Sequence, residues 1–454
     1  MPAIVLPRLR FRVPIAALCV VLPAVIFYSV LFRMAINLPF DDDYEALLDF
    51  LNKLVELKGF AAKTSYFFSS QYNEYKLFFG HAVAWLQLSL FGHVNIQVLC
   101  AIGNAFVLLL AILLWKMFLP NHRDLGDRLI FFIPVSWGLL QLEYVETLNW
   151  AMPSLQNIPI LLFSLGTIYL LLRGGRLPFY SALVCLMLAV AASGNGFFVI
   201  PIGVLILAAG RHYQRIAIWL LISAACIAAY AYRYNVMSSQ SRMQASVLST
   251  VLQPRPLYVI AFIGNTASSP LVGHFPRLEI QASLLLGVLL CGLFIALWRR
   301  GYVERNPLVC HCVLFLFLTA IGVAGLRSDF GIEQSLSSRY AIYSVLFLIF
   351  AWYAVVEEFL ILHNRSSVRN GTLLVTIASV VLFSLVMDRR AWLFLAWRDG
   401  QIITGMQAYE RPGSTLGPIL PIKGQGPRFD ELDRHAPEIL RQSTGLGIYR
   451  PPSY

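Results

Sequence analysis

The chain has 454 residues, enough for two or three soluble domains by length alone, yet 58% are hydrophobic and only 13% are charged. With a mean hydropathy of +0.68, that balance excludes a set of soluble domains and places the chain among polytopic membrane proteins. The net charge of +11 then needs no nucleic-acid partner, because loops that obey the positive-inside rule and meet anionic headgroups account for it.

Taken in order, the chain opens with Arg8, Arg10 and Arg12 ahead of an apolar run from Val13 to Phe32. The run is long enough to cross a bilayer and no small-residue cleavage site follows, so it reads as a retained anchor with a cytoplasmic N-terminus. A polar, acidic loop, 38–76, comes next. Leu77–Phe91 reads as a helix at the outer interface and Val94–Phe118 as the second span, followed by the basic turn Lys116, His122, Arg123 and Arg128. The later spans are Leu129–Leu142, Gln156–Leu172, Pro178–Ala192, Phe197–Ala209, Ile216–Tyr232, Ala282–Trp298, Leu308–Leu326, Tyr340–Phe359 and Thr372–Val386. Basic turns (Arg173 to Arg176, Arg211 to Arg215, Arg299 to Arg305, His363 to Arg369) alternate with acidic or neutral ones, as the positive-inside rule requires. The Ser/Gln-rich stretch Met237–Thr250 reads as a loop, and Leu257–Ile263 is too short to span and is expected to pack on the outer rim. The expectation is an all-α integral membrane protein of about eleven spans. Residues 1–387 form the membrane domain. Residues 388–454 form a polar periplasmic tail with one helix, Phe429–Gln442.

The seven cysteines lie in apolar runs and lack metal-ligand spacing, so they read as packing residues. The loop 38–76 holds the chemistry. Asp41, Asp42 and Asp43 precede a stretch in which Leu47, Leu51, Leu54 and Val55 share a face, the pattern of a helix lying in the interface plane. Asp49 and Lys53 are spaced for an i,i+4 pair. One Asp suffices as an N-cap. Three together repel, which raises the pKa of at least one and makes it a better proton acceptor, and such a group also suits a divalent cation. Glu74 and Lys76 stand where the loop re-enters the membrane, and their bland reading is an interfacial charge pair. Glu143, Glu146, Asn195, Arg327 and Arg339 fall on the same expected side, and arginine suits a phosphate because its planar fork binds it bidentately.

At this point the chain resembles the bacterial GT-C-fold glycosyltransferases, multi-spanning enzymes that use a polyprenyl-phosphate sugar. Asp41-Asp42-Asp43 resembles the acidic motif of that family's first outer loop. Gln71-Tyr-Asn-Glu-Tyr-Lys76 is similar to an Asn-Glu-His-Arg signature of one branch, with Tyr75 in place of His and Lys76 in place of Arg. Asn149-Trp150 with Gln156 is similar to a Trp-Gly-Phe-Gln element in degraded form, Ser193-Gly-Asn-Gly196 to an Ala-Asn-Gly turn, and Ser338-Arg339-Tyr340 matches a Ser-Arg-Tyr turn.

The resemblance implies that Asp41 or Asp42 is the general base or a metal-associated carboxylate, that Glu74 borders the catalytic site, and that Lys76 and Arg339 meet the lipid-linked phosphate. It further implies transfer of a sugar to a cell-envelope glycan at the outer face of the bacterial inner membrane. Two other classes fit the residues: a transporter or flippase of a lipid-linked glycan, and a non-catalytic assembly partner. The near absence of ionisable residues in mid-span argues against ion-coupled transport.

Overall fold

The computed structural model describes residues 12–119, 124–235, 255–272, 275–361, 366–410 and 427–452. The basic residues Arg8, Arg10, His122, Arg123, His363 and Arg365 and the Met237–Thr250 stretch lie outside the described residues. Among those described, every regular element is a helix; β-pairing is confined to two isolated bridges, Tyr72 with Tyr75 and Val94 with Tyr449.

The helices are α1 (Arg12–Met34), α2 (Phe50–Glu56), α3 (Phe60–Ser69), α4 (Phe78–Phe91), α5 (Ile96–Met117), α6 (Leu125–Leu139), α7 (Val145–Leu148), α8 (Ala151–Arg173) and α9 (Arg176–Ala192). They continue with α10 (Val199–Ala209), α11 (Tyr213–Ala231), α12 (Arg255–Ile263), α13 (Pro276–Arg299), α14 (Tyr302–Arg305) and α15 (Pro307–Arg327). The last three are α16 (Ser338–Val355), α17 (Ser366–Tyr409) and α18 (Pro427–Gly445). Eight of these helices are long and apolar enough to cross a membrane: α1, α5, α8, α11, α13, α15, α16 and α17. The chain is therefore a multi-pass membrane protein by the length and composition of its helices. Three shorter apolar helices, at 78–91, 176–192 and 194–209, accompany them.

Helices α8 and α16 sit at the centre, with most of their residues buried, while α11 and α13 present largely apolar, exposed faces outward. This is what a bundle solvated by hydrocarbon should look like, since lipid tails are as apolar as leucine. Small residues set the closest approaches. A Cβ on Gly103 of α5 would stand 2.6 Å from the Ser154 backbone of α8, and one on Gly287 of α13 would stand 2.0 Å from the Ile260 carbonyl of α12.

A second core lies at one end of the bundle. Leu47, Leu51 and Leu54 of the loop 38–76 pack there with Ala436, Ile439 and Leu440 of α18 and with Ile448 and Tyr449. The expected amphipathic helix is present as a π-helical turn, Tyr44–Asp49, continued by α2. It is covered rather than lying bare, and only Val55 of the expected apolar face stays exposed. The Asp49–Lys53 pair forms at 2.5 Å. The C-terminal part differs from the expected polar tail. Helix α17 runs 44 residues without a break through the expected boundary at 387, about 66 Å at 1.5 Å per residue. The expected helix at 429–442 is α18. Its Ile439 carbonyl accepts from Asn52 at 3.2 Å, and its Ser443 hydroxyl donates to Asn52 at 2.8 Å. Helix α18 and the described residues after it thus pack on the loop 38–76.

Candidate functional site

The site is organised by a four-residue turn, Tyr72-Asn73-Glu74-Tyr75. The backbones of Tyr72 and Tyr75 exchange two hydrogen bonds of 2.9 Å. Asn73 takes the left-handed conformation (φ +48°) that asparagine tolerates better than most residues. A turn this tight holds its two arms on separate neighbours. On one side the Tyr72 hydroxyl donates to Asp42 Oδ1. On the other, Glu74 forms an ion pair with Arg327, whose Nη2 also donates to the Tyr75 hydroxyl at 2.9 Å. Tyr234 OH fixes the turn by donating to the Glu74 carbonyl at 3.0 Å.

Arg327 ends α15 and Arg339 is the second residue of α16, so the short connection 328–337 decides where both guanidinium groups stand. Gly331 (φ +91°) permits its reversal. Asn265, fully buried after α12, holds the connection by donating to the Ser335 and Ser337 carbonyls at 2.9 and 3.1 Å. Arg339 lies over the Tyr340 ring at 5.5 Å. It makes no hydrogen bond or ion pair with any described residue, and its charged neighbours are Glu146 and Arg327. The Nε atoms of Arg327 and Arg339, the Tyr258 and Ser338 hydroxyls and the Asn195 Oδ1 are all buried without a hydrogen-bond partner. Buried donors are almost always satisfied; four of these five atoms are donors, and Tyr258 is within electrostatic reach of both arginines, so the group has the donors that an oxygen-rich ligand accepts from. Tyr75, which burial pushes up to about 12, is a neutral donor at its edge.

The structure sorts the expected site residues. Asp42 is buried beside the turn, and Asp41 is half-buried with a left-handed backbone (φ +44°). Asp43 caps no residue of its own helix. Its Oδ1 accepts from Met152 N at 2.8 Å and its Oδ2 from Phe40 N at 3.1 Å, so it caps the start of α8 from a distance. Burial pushes it up to about 7 despite those donors. Glu74 serves Arg327. Lys76 is a correction: it is fully buried, and its Nζ donates to the Phe68, Ser69 and Tyr232 carbonyls at 2.8, 2.9 and 3.0 Å. An ammonium has three N–H donors, so none remains for a phosphate, and Lys76 is a tether between the loop and the end of α11. Glu143 is a second correction. It is buried between Ser269 Oγ and Gln141 Nε2 (3.1 Å), and burial pushes it up to about 7, so it packs the interior instead of facing substrate. Glu146, near Arg339 and accepting from Ser337 Oγ at 3.4 Å, and Asn195, donating to Tyr343 OH at 3.1 Å, do lie on the arginine side.

Among the described residues no three His, Cys, Asp or Glu side chains converge as a metal set. With Asp43 committed to α8, the donor set at Asp41 and Asp42 does not fit a resident divalent cation. On the Asp42 side a cleft of about 550 Å³ opens between the loop helix and α18, bordered by Glu45, Asp49, Tyr66, Tyr72, His435 and Glu438. Sequence reasoning missed Asn265 and Tyr258. Their signal was faint, an asparagine just past a nine-residue apolar helix and a tyrosine within it. Comparison of the chain with protein-family models, with curated proteins and with solved structures returns no match.

Proposed function

We propose that this protein is a membrane glycosyltransferase that moves a sugar from a polyprenyl-phosphate carrier to a cell-envelope glycan on the outer face of the bacterial inner membrane. The loop 38–76 and α18 then face the periplasm with the end of the chain, and the N-terminus is cytoplasmic. Eleven crossings result if α6, α9 and α10 are counted with the eight long helices. The observation that supports the reading is the turn 72–75, which joins Asp42 on one side to Arg327 and the unpaired Arg339 on the other.

In this reading the lipid-linked phosphate sits against Arg327 Nε and Arg339, with the Tyr258 hydroxyl as a neutral donor. The acceptor glycan enters by the cleft beside Tyr72, whose carboxylates, amides and tyrosine rings suit a polyhydroxylated ligand. The acceptor hydroxyl attacks the anomeric carbon as the bond from that carbon to the phosphate oxygen breaks. Asp42 takes the hydroxyl proton, and the phosphate keeps the bonding electron pair, its charge offset by the guanidinium pair. Glu74 and Asn265 are positioning residues.

The test is envelope glycan composition in cells carrying Asp42→Asn or Arg339→Ala beside a strain lacking the protein. Both variants should insert normally and reproduce the loss seen without the protein. Turnover is expected to fall by about 10²-fold or more for each. Wild-type glycan in both variant strains would overturn the enzymatic reading and leave a transporter or a scaffold.

A further inference from the structure

The opposite end of α9 and α11 carries a concavity that the transferase reading does not use. Helix α9 has 17 residues, so it stands about 26 Å from the Asn195 turn. Two turns build it. Gly174 and Gly175, both left-handed (φ +66° and +90°), start α9 at Arg176. The second, at 210–212, is fixed by Arg211 N donating to Ala208 O and His212 N donating to Leu207 O, each at 2.9 Å, with Arg211 itself left-handed (φ +55°).

Arg176, Arg211, His212 and Arg215 line a hollow of about 590 Å³ with Tyr180 and Tyr213 at its rim, and no carboxylate lines it. None of the three arginines is in an ion pair with a described residue. Three basic residues elsewhere are neutralised or satisfied, whereas Arg299 and Arg300 are likewise outside ion pairs with described residues but do not line this hollow. Arg12 pairs with Asp127, Arg305 pairs with Glu358 at 2.8 Å, and Arg128 donates to the Trp115 and Phe118 carbonyls. The Arg215 guanidinium carbon lies 5.4 Å from the Phe179 ring centroid, a cation–π contact at the wall of the hollow. Beside the hollow, Leu177, Val184, Ile218 and Leu221 are exposed on α9 and α11, an apolar surface for acyl chains. Three unneutralised guanidinium groups at one end of the bundle, flanked by tyrosines and by an apolar helix surface, supply the donors that a phosphate headgroup accepts from.

We propose that this hollow binds the headgroup of an anionic phospholipid, and that its three positive charges suit a headgroup with two phosphates. The proposal does not depend on the transferase reading.

The experiment uses the full chain in phosphatidylcholine nanodiscs doped with diphosphatidylglycerol, with lipid retention read by native mass spectrometry. The wild type should retain diphosphatidylglycerol in preference to phosphatidylcholine. Each arginine removed should weaken retention by about fivefold, so the triple variant Arg176→Gln, Arg211→Gln, Arg215→Gln should lose about a hundredfold. The control variant Arg299→Gln, Arg300→Gln should change it by less than about twofold. Should the triple variant fail to fold, Arg211→Gln alone is measured against its fivefold expectation. Unchanged retention in the arginine variants, or an equal loss in the control, overturns the proposal. So does complete displacement of the lipid by inorganic phosphate, which would reassign the hollow to a soluble anion.

Discussion

Replacing Lys76 by methionine separates a structural tether from a substrate ligand. Methionine keeps the length and apolar body of the side chain and removes the ammonium. In the folded protein that ammonium is fully buried and satisfies three backbone carbonyls, two from the end of α3 and one from Tyr232. Burial lowers its pKa, and the three acceptors are what keep a charge tolerable there. Each hydrogen bond to a charged donor contributes about 1.5–3 kcal/mol, and each carbonyl left buried without a partner costs about 1–3 kcal/mol. Against this, the methionine avoids desolvating a charge, so the net loss is expected at about 2–4 kcal/mol, on the order of three lost hydrogen bonds less that desolvation. The assay is thermal unfolding of purified protein in detergent, read beside enzymatic or cellular activity. Lys76→Met should unfold at a lower temperature, and Lys76→Arg should not restore it, because a planar fork cannot point at three converging carbonyls. A Lys76→Met protein that unfolds like the wild type yet has lost activity would refute the tether and return Lys76 to the phosphate.

Glu74→Gln leaves Arg327 buried without its carboxylate and should destabilise by about 3–5 kcal/mol in chemical or thermal unfolding. Asp43 and Glu143 are both lifted to about 7, so the folded chain holds protons that the unfolded chain releases from about pH 4 upward. Stability from these two groups is therefore greatest at acid pH and declines as pH rises through that window. The unfolding midpoint should fall between about pH 4 and pH 7 and then level off, and Asp43→Asn should flatten the fall at the cost of about 1 kcal/mol for one lost acceptor. Asn265→Ala frees the Ser335 and Ser337 carbonyls. It should cost about 2–4 kcal/mol and lower turnover by releasing the connection that carries both arginines, which steady-state kinetics would show. Gly287→Ala places a Cβ against the Ile260 carbonyl at 2.0 Å, and unfolding measurements should show a loss of about 1–3 kcal/mol from overpacking.

Local pattern made much of this legible in advance. The 3.6-residue spacing of Leu47, Leu51 and Leu54 marked a buried face, and those three are buried. The run lengths marked the long helices because hydrocarbon thickness sets them. What stayed hidden depends on partners far along the chain. Asp43 meets a backbone amide 109 residues away, so nothing next to it could separate a distant cap from a catalytic acid. Lys76 reads the same whether its partners are carbonyls or phosphates. The extent of α17 was hidden for another reason. Hydropathy drops at Asp388, Arg389 and Arg390, but backbone hydrogen bonding does not follow hydropathy and the helix continues, with Ala391 and Leu395 still buried in the bundle core. Arg339, Glu146 and Asn195 were singled out through the expected side of their turns. Tyr75 was noticed only as a departure from a motif, and Tyr72 only as its neighbour in the same stretch.

The bond between Asn52 and α18 links residues 387 positions apart. At about 5–20 residues per second of synthesis, the first loop emerges roughly 20–80 s before the segment that covers it. During that interval Leu47, Leu51 and Leu54 lack the partners that α18 supplies, so a loop that follows the first helix is finished only when the last helix arrives. A chain ending at Tyr409 should stay arrested at that stage, its first loop cut rapidly by added protease while the bundle resists. Equal resistance of the loop in both lengths would mean that it matures unaided.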